Sequence, residues 1–166
     1  SDKTVNCILQ LRLLDSISNL KSKIDSEHKN KVFDVDLTYI TSRGPWYLSS
    51  WKGDNEKSGG IASNIGIHFF DLLYYLFGNN TACQLHYRSE MTAAGYLEFE
   101  KARVRWILSI DKRNLPEPSN GKPTYRSITI DGCELEFSDG FTELHTEAYK
   151  RIINGEGFTP EDTRSA

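Results

Sequence analysis

A chain of 166 residues, 38% hydrophobic and 26% charged, has the make-up of one domain with a sizeable core, or of one piece of a two-domain protein. Its net charge of −3 comes without a long basic block, which argues against a nucleic-acid phosphate backbone as partner. The apolar run at 65–77 is interrupted by His68 and Asp71 and is too short to span a bilayer, and no secretory signal opens the chain, so no membrane partner is expected.

In chain order, "TVNCILQLRL" reads as an apolar strand. "DSISNLKSKIDSEH" follows with Ile17, Leu20 and Ile24 at helical spacing, a helix with one buried face. "KVFDVDLTYITSRG" alternates, with Phe33, Val35, Leu37 and Tyr39 on one side and Asp34, Asp36 and Thr38 on the other, as a half-buried strand does. "PWYLSSWKGDNEKSGG" has the turn-rich, aromatic composition of a functional loop. "GGIASNIGIHFFDLLYYLFG", 59–78, predicts one helix with the stripe Ile61, Ile65, Phe69, Leu72, Leu73 and Leu76, stopped by Gly78.

From Thr81 the pattern turns to strands: "ACQLHYRSE", "AAGYLEFE" and "ARVRWILSID", the last alternating Val104, Trp106 and Leu108 with Arg103, Arg105 and Ile107. "LPEPSNGKP" is a loop by composition. "YRSITIDGCELEF" predicts a hairpin about a type I′ turn at Asp131-Gly132, and "FTELHTEAYKRIING" an amphipathic helix. Successive strands joined by short turns, with helices before and after, predict an α+β fold: a largely antiparallel open sheet with helices packed on one face. Such a sheet leaves its other face to solvent or a partner.

Both ends read as cut. Thr159, Pro160, Glu161 and Asp162 have the order of a helix start, yet the sequence stops at Ala166; the apolar strand from Val5 has no earlier partner. The expectation is a fragment: 1–12 a remnant strand of a missing domain, 13–166 the domain proper, truncated at its C-terminus. Cys7, Cys83 and Cys133 are widely spaced with no CxxC, which predicts reduced thiols in a cytoplasm rather than a disulfide framework or a zinc site.

The unusual feature of 59–78 is polar. Asn64 and His68 stand at i and i+4, on one helical face, with Asp71 three residues further on. Gly66 costs about 1 kcal/mol against alanine in a helix, a cost that makes sense where something approaches the backbone closely. His68 then reads as a proton carrier, with Asn64 orienting either it or a substrate hydroxyl, or else as a partly buried histidine bonded to backbone or to a carboxylate such as Asp71. A metal site finds no support: HExxH is absent, and His28, His86 and His145 have no useful spacing to His68.

"SGGIASNIGIHFFDLLYYLFG" resembles the signature helix of the glucose-fructose oxidoreductase/inositol dehydrogenase family, Gly-Gly-Gly followed by Asp-x-Gly-x-His-x-x-Asp, with Gly59, Gly60, Gly66, His68 and Asp71 matching. "ILQLRL", "TYITSRGPWYLSSWKGD", "AAGYLEFEKARVRWILSID", "TYRSITIDG" and "EFSDGFTELH" are similar to one branch, the UDP-N-acetyl-2-amino-2-deoxyglucuronate dehydrogenases of bacterial surface-polysaccharide synthesis. Two positions depart from it. Asn64 replaces the family's Asp, as the branch itself commonly does, so no carboxylate there tunes His68. Leu14-Asp15 stands where the branch has His-Pro, and no substrate contact is carried over to position 14.

The resemblance implies the C-terminal, substrate-binding and oligomerising domain of an NAD-dependent enzyme whose own Rossmann domain, with its GxGxxG loop and Glu-Lys-Pro lysine, is not in this sequence. It implies oxidation of a sugar C3 hydroxyl, with His68 as a general acid/base or a polariser of that hydroxyl, the lysine of the missing domain as the other candidate proton carrier, and Asn64 positioning the ring. The loop after Tyr39 would hold the rest of a sugar nucleotide. Arg43, a forked donor for carboxylate or diphosphate, is the first candidate there, with Tyr39, Trp46, Tyr47 and Arg12 beside it. Each has a plainer reading: Arg43 as a solvated strand-end charge, the tryptophans, Trp51 included, as packing. A homo-dimer or tetramer through the sheet face is implied as well. The rival class is a non-catalytic module that binds a partner by its sheet face; within the enzyme class, a polyol or free sugar is the other substrate.

Overall fold

The structure, a computed structural model, describes residues 4–117, 122–136 and 143–164. Six strands form one sheet in the order β2-β3-β4-β1-β5-β6: β1 (Phe33–Thr41), β2 (Asn80–Arg88), β3 (Thr92–Phe99), β4 (Ala102–Ser109), β5 (Thr124–Ile130) and β6 (Cys133–Glu136). Every neighbouring pair is antiparallel except β1 with β4, which run parallel at the centre. The largely antiparallel sheet expected from short turns is therefore present, with one parallel pair made possible by the helices between β1 and β2.

The alternation read from the sequence decides the two faces. Val35, Leu37, Val104, Leu108 and Ile128 point into one core, and α5 (Gly66–Phe77) and α1 (Asp15–Ser26) cover it. Three ring pairs run along α5 against the sheet: Phe33–Phe77, Tyr39–Phe69 and Phe70–Trp106, with centroids 5.9, 4.7 and 5.3 Å apart. The opposite face is polar at Asp36–Arg105 (2.8 Å) and Glu98–Arg103 (3.9 Å), and forms a shallow basin around Ile40, Met91, Ala94 and Ile107.

The expected hairpin forms as read. Asp131 (φ 49°) and Gly132 (φ 81°) make the two left-handed positions of the turn, and Ile130 pairs with Cys133 across it. The loop "LPEPSNGKP" and the residues after β6 fall partly outside the described residues.

Two readings of local structure are corrected. Residues 5–12 do not form a strand: Cys7 makes an isolated antiparallel bridge to Phe158, and Gln10–Leu13 is a 3₁₀ turn packed between α1, α5 and α6 (Leu144–Ile153). An apolar run can sit as a buried turn when helices, rather than a sheet edge, enclose it. The single helix expected over 59–78 is two, α4 (Gly60–Asn64) and α5, with a break at Ile65 whose backbone stays right-handed (φ −106°, ψ −43°).

Gly66, just past that break, is approached by the protein itself. A Cβ there would lie 2.7 Å from Phe70 and 2.9 Å from Leu108 of β4, so glycine seats α5 against the sheet. Gly66→Ala therefore lowers stability by about 1 kcal/mol, overpacking outweighing the gain in helix propensity, seen as an earlier denaturant midpoint at unchanged m. A later midpoint would contradict this packing.

The loop 45–60 folds into short helices, α2 (Pro45–Ser49) and α3 (Asn55–Ser58). Near the C-terminus, Thr159 and Asp162 bond reciprocally as a capping pair, and a 3₁₀ turn follows at Glu161–Thr163. Cys7, Cys83 and Cys133 are free thiols. Among the described residues no helix is long and apolar enough to cross a membrane, and no group of three or more His, Cys, Asp or Glu is placed to hold a metal ion.

Candidate active site

The break at Ile65 and the 3₁₀ turn at Gln10–Leu13 border a cavity of about 590 Å³, within the range of small-molecule sites. Its wall is drawn from across the fold: besides Gln10 and Leu11 of the 3₁₀ turn and Arg126 of β5, several elements contribute. Tyr39 and Arg43 arrive from the end of β1 and beyond, Tyr47 and Lys52 from the α2 loop, Asn64 and His68 from α4 and α5, and His145 and Tyr149 from α6. Thus His68, Asn64, Arg43, Tyr39 and Tyr47, singled out in the sequence, meet in one place.

His68 sits in the wall with Nδ1 buried and without a hydrogen-bond partner among the described residues. Burial holds its imidazole below the ordinary value; Asp71 pulls it up and His145 pushes it down. The ring is thereby neutral near pH 7, the form that accepts a proton. Asp71 is not its hydrogen-bond partner, which removes the plainer reading of a histidine bonded to that carboxylate.

Because the folded value is depressed, the unfolded chain binds more protons at mildly acidic pH. The contribution of His68 to stability is intact above about pH 6.5 and is lost as pH falls below it. Proton NMR titration should place the His68 midpoint below 6.5, and His145→Gln should move it upward; a midpoint at or above 6.5 would contradict the burial of the ring.

Asn64 donates from Nδ2 to the Tyr47 hydroxyl at 2.8 Å, and Tyr47 is itself buried, so the α2 loop is tied to α4 through the site. Tyr39 lies between Phe69 and the Arg126 guanidinium, 5.2 Å above its ring. Arg43, exposed, brings a cation to the wall, and Lys52 brings a second, its ammonium 5.9 Å from both the Trp46 and Trp51 rings.

Two expected residues lie elsewhere. Trp46 is 54% exposed and does not line the cavity; it packs edge-on against Tyr47 at 5.8 Å, outside the wall. Arg12 is spent on the protein. Its guanidinium forks onto both oxygens of Asp71, which is fully buried, with Nε–Oδ2 at 2.8 Å, and also donates to the Asp162 carbonyl at 3.1 Å. It also lies 5.3 and 5.2 Å from the Tyr75 and Phe158 rings. A cation so engaged cannot turn to a ligand without abandoning a buried carboxylate.

Gln10, Lys52, Arg126, His145 and Tyr149 are the wall residues that sequence reasoning missed. The spacing of His145 to His68 along the chain carries no local signal. His145 arrives through α6 packing on the 3₁₀ turn, a contact that no period of either segment encodes.

The family profile described as "Oxidoreductase family, C-terminal alpha/beta domain" matches residues 21–143. The WlbA (WbpB) dehydrogenase of Thermus thermophilus, solved with NAD and alpha-ketoglutarate, is 52% identical over 98% of this chain, with a TM-score of 0.92. Its complex with NAD and UDP-GlcNAcA gives 51% identity over 98% and a TM-score of 0.91. The WlbA dehydrogenase of Bordetella pertussis, 19% identical over 92% with a TM-score of 0.68, shares the fold. The chain spans about half the length of these relatives, 52% of each. A sheet of this topology, the profile match and this level of identity agree, and the chain belongs to the oxidoreductase family as its C-terminal alpha/beta domain.

Proposed function

We propose that the protein carrying this domain is an NAD-dependent sugar-nucleotide dehydrogenase that oxidises the C3 hydroxyl of UDP-N-acetylglucosaminuronate, in the cytoplasm, for bacterial surface-polysaccharide synthesis. The observation that carries the reading is the 51% identity, over nearly the whole chain, to a dehydrogenase solved with NAD and UDP-GlcNAcA. The cavity supplies the chemistry such a reaction requires: a neutral imidazole, hydrogen-bonding groups for a sugar and cations for its acidic parts.

No glycine-rich strand-to-helix turn occurs in this sequence to cradle a pyrophosphate, so NAD is assigned mainly to a dinucleotide-binding Rossmann domain beyond this chain, where it supplies the hydride acceptor. On this chain, His68 takes the hydroxyl proton as the C3 hydrogen leaves with its electron pair, and passes that proton to solvent. The product is a ketone. Asn64, fixed by Tyr47, positions the ring. Arg43 and Lys52 hold the uronate carboxylate or the diphosphate, and Tyr39 lies beneath. The open sheet face, with its apolar basin around Ile107, suits self-association as a dimer or tetramer.

The test follows NADH absorbance with the two-domain enzyme. Steady NADH formation from UDP-N-acetylglucosaminuronate, and none from myo-inositol, is the expected result. Turnover of myo-inositol with no response to the UDP-sugar would overturn the reading.

A further inference from the structure

The wall of the cavity carries Arg43, Lys52 and Arg126 and, among its described residues, neither Asp nor Glu, although the chain as a whole has a net charge of −3. Cations gathered in a concave wall of one sign draw anions to it. UDP-N-acetylglucosaminuronate presents anions of two kinds: a carboxylate on the sugar ring, and a diphosphate between that ring and the nucleoside. Which cation meets which anion follows from how each cation is held.

Arg43 and Lys52 belong to the segment that leaves β1. Arg43 is exposed just past the end of that strand, and Lys52 follows α2, its ammonium 5.9 Å from the exposed rings of Trp46 and Trp51. Arg126 is held differently. It lies within β5, half-buried, directly opposite Tyr39 of β1 in the antiparallel register. Its guanidinium is 5.2 Å from the centroid of the Tyr39 ring, and that ring packs at 4.7 Å on Phe69, the neighbour of His68 on α5. An interior strand and an aromatic platform thus tie this cation to the element that carries the imidazole.

The uronate carboxylate is borne by the very ring that is oxidised. When the C3 hydroxyl faces His68, that carboxylate stays within a ring's width of the imidazole, whereas the diphosphate leads away toward the nucleoside. A guanidinium has donors enough to keep its contacts with the protein and still fork onto a carboxylate. We propose that Arg126 is a specificity-determining residue whose guanidinium takes the sugar carboxylate, leaving Arg43 and Lys52 to the diphosphate. The proposal rests on the sugar-nucleotide reading and deepens it by dividing the anionic contacts of the site.

Calorimetry on the two-domain enzyme tests this with NADH bound, so that no hydride can leave the sugar. It compares UDP-N-acetylglucosaminuronate with UDP-N-acetylglucosamine, which carries a hydroxymethyl group in place of the carboxylate. The parent should bind the uronate about 10- to 100-fold more tightly, and Arg126→Met should bring that ratio close to one by weakening the uronate alone. The Kd of UDP should not change in Arg126→Met, whereas Lys52→Met should weaken UDP and both UDP-sugars alike. Arg126→Lys keeps the charge without the fork, and its ratio should fall between those of the parent and Arg126→Met. A ratio unchanged in Arg126→Met would overturn the proposal, as would a parent that prefers neither sugar. Equal weakening of UDP and both sugars in Arg126→Met would make Arg126 a support of the fold and overturn it too. Should Arg126→Met fail to fold, a parental ratio in Arg126→Lys would do the same. A parent that binds no UDP-sugar would bring down the functional reading together with the proposal; one that binds them with a ratio indifferent to residue 126 would remove the proposal alone.

Discussion

Replacing His68 with alanine should lower kcat of the two-domain enzyme by about 10²- to 10⁴-fold, the span of a positioned acid/base, with KM for the UDP-sugar changed far less. The reasoning rests on the state of the ring. Burial keeps it neutral, Asp71 is committed to Arg12, and its Nδ1 has no internal partner among the described residues. A histidine serving only the fold would be expected to show a hydrogen bond there. His68→Gln separates the two roles, since glutamine fills the space and bonds but carries no proton; it should be as slow as alanine. The acid limb of the kcat/KM profile, set in the parent by an imidazole held below its ordinary value, should disappear in both variants. Retention of normal turnover by His68→Ala would remove the imidazole from the chemistry.

The second large effect is on stability. Arg12→Met should cost about 3–5 kcal/mol, because it strands the Asp71 carboxylate where no water reaches it. In the parent, burial already pushes the Asp71 carboxyl above its ordinary range, against the opposing pull of Arg12 and the weaker one of His68. Removing Arg12 pushes it higher. A carboxyl whose folded value exceeds its unfolded one is harmless below the unfolded value and loses stability as pH rises through the window between them. The variant should therefore recover toward the parent as pH is lowered to about 4, the ordinary carboxylate range, and be weakest near neutrality. Arg12→Met combined with Asp71→Leu removes both charges and should return most of the loss. Equal destabilisation at all pH values, measured by urea unfolding, would mean that the pair holds the fold by packing alone.

Arg12 also shows where sequence reading fell short. In a linear string an arginine beside a candidate site is a ligand candidate; only the fold reveals that Asp71, three residues beyond His68 on the signature helix, is its partner. What was legible had a local cause. Period-two alternation at 33–39 and 103–108 sets which side chains face α5, and Asp131-Gly132 demands left-handed geometry that the turn displays. The residues Asn64 and His68 were legible because polar groups inside an apolar stripe carry a cost that sequence alone exposes. Their helical break was not, since Ile65 keeps right-handed dihedrals and no cap residue marks it. The tight contact at Gly66 was expected, but as a ligand's approach; it is Leu108 and Phe70 instead. Gln10 and His145 were invisible because their meeting depends on how a 3₁₀ turn and the last helix pack, a relation without a period.

Resting on this architecture is the claim that His68 meets a sugar nucleotide once a nucleotide-binding domain closes the other side of the cavity. The imidazole resonances of His68 in the two-domain enzyme, followed by NMR as UDP-N-acetylglucosaminuronate is added in the presence of NAD, test it most directly. Saturable shifts of the His68 ring, absent on addition of myo-inositol, are the outcome expected. A ring that stays unmoved while the UDP-sugar binds would contradict it.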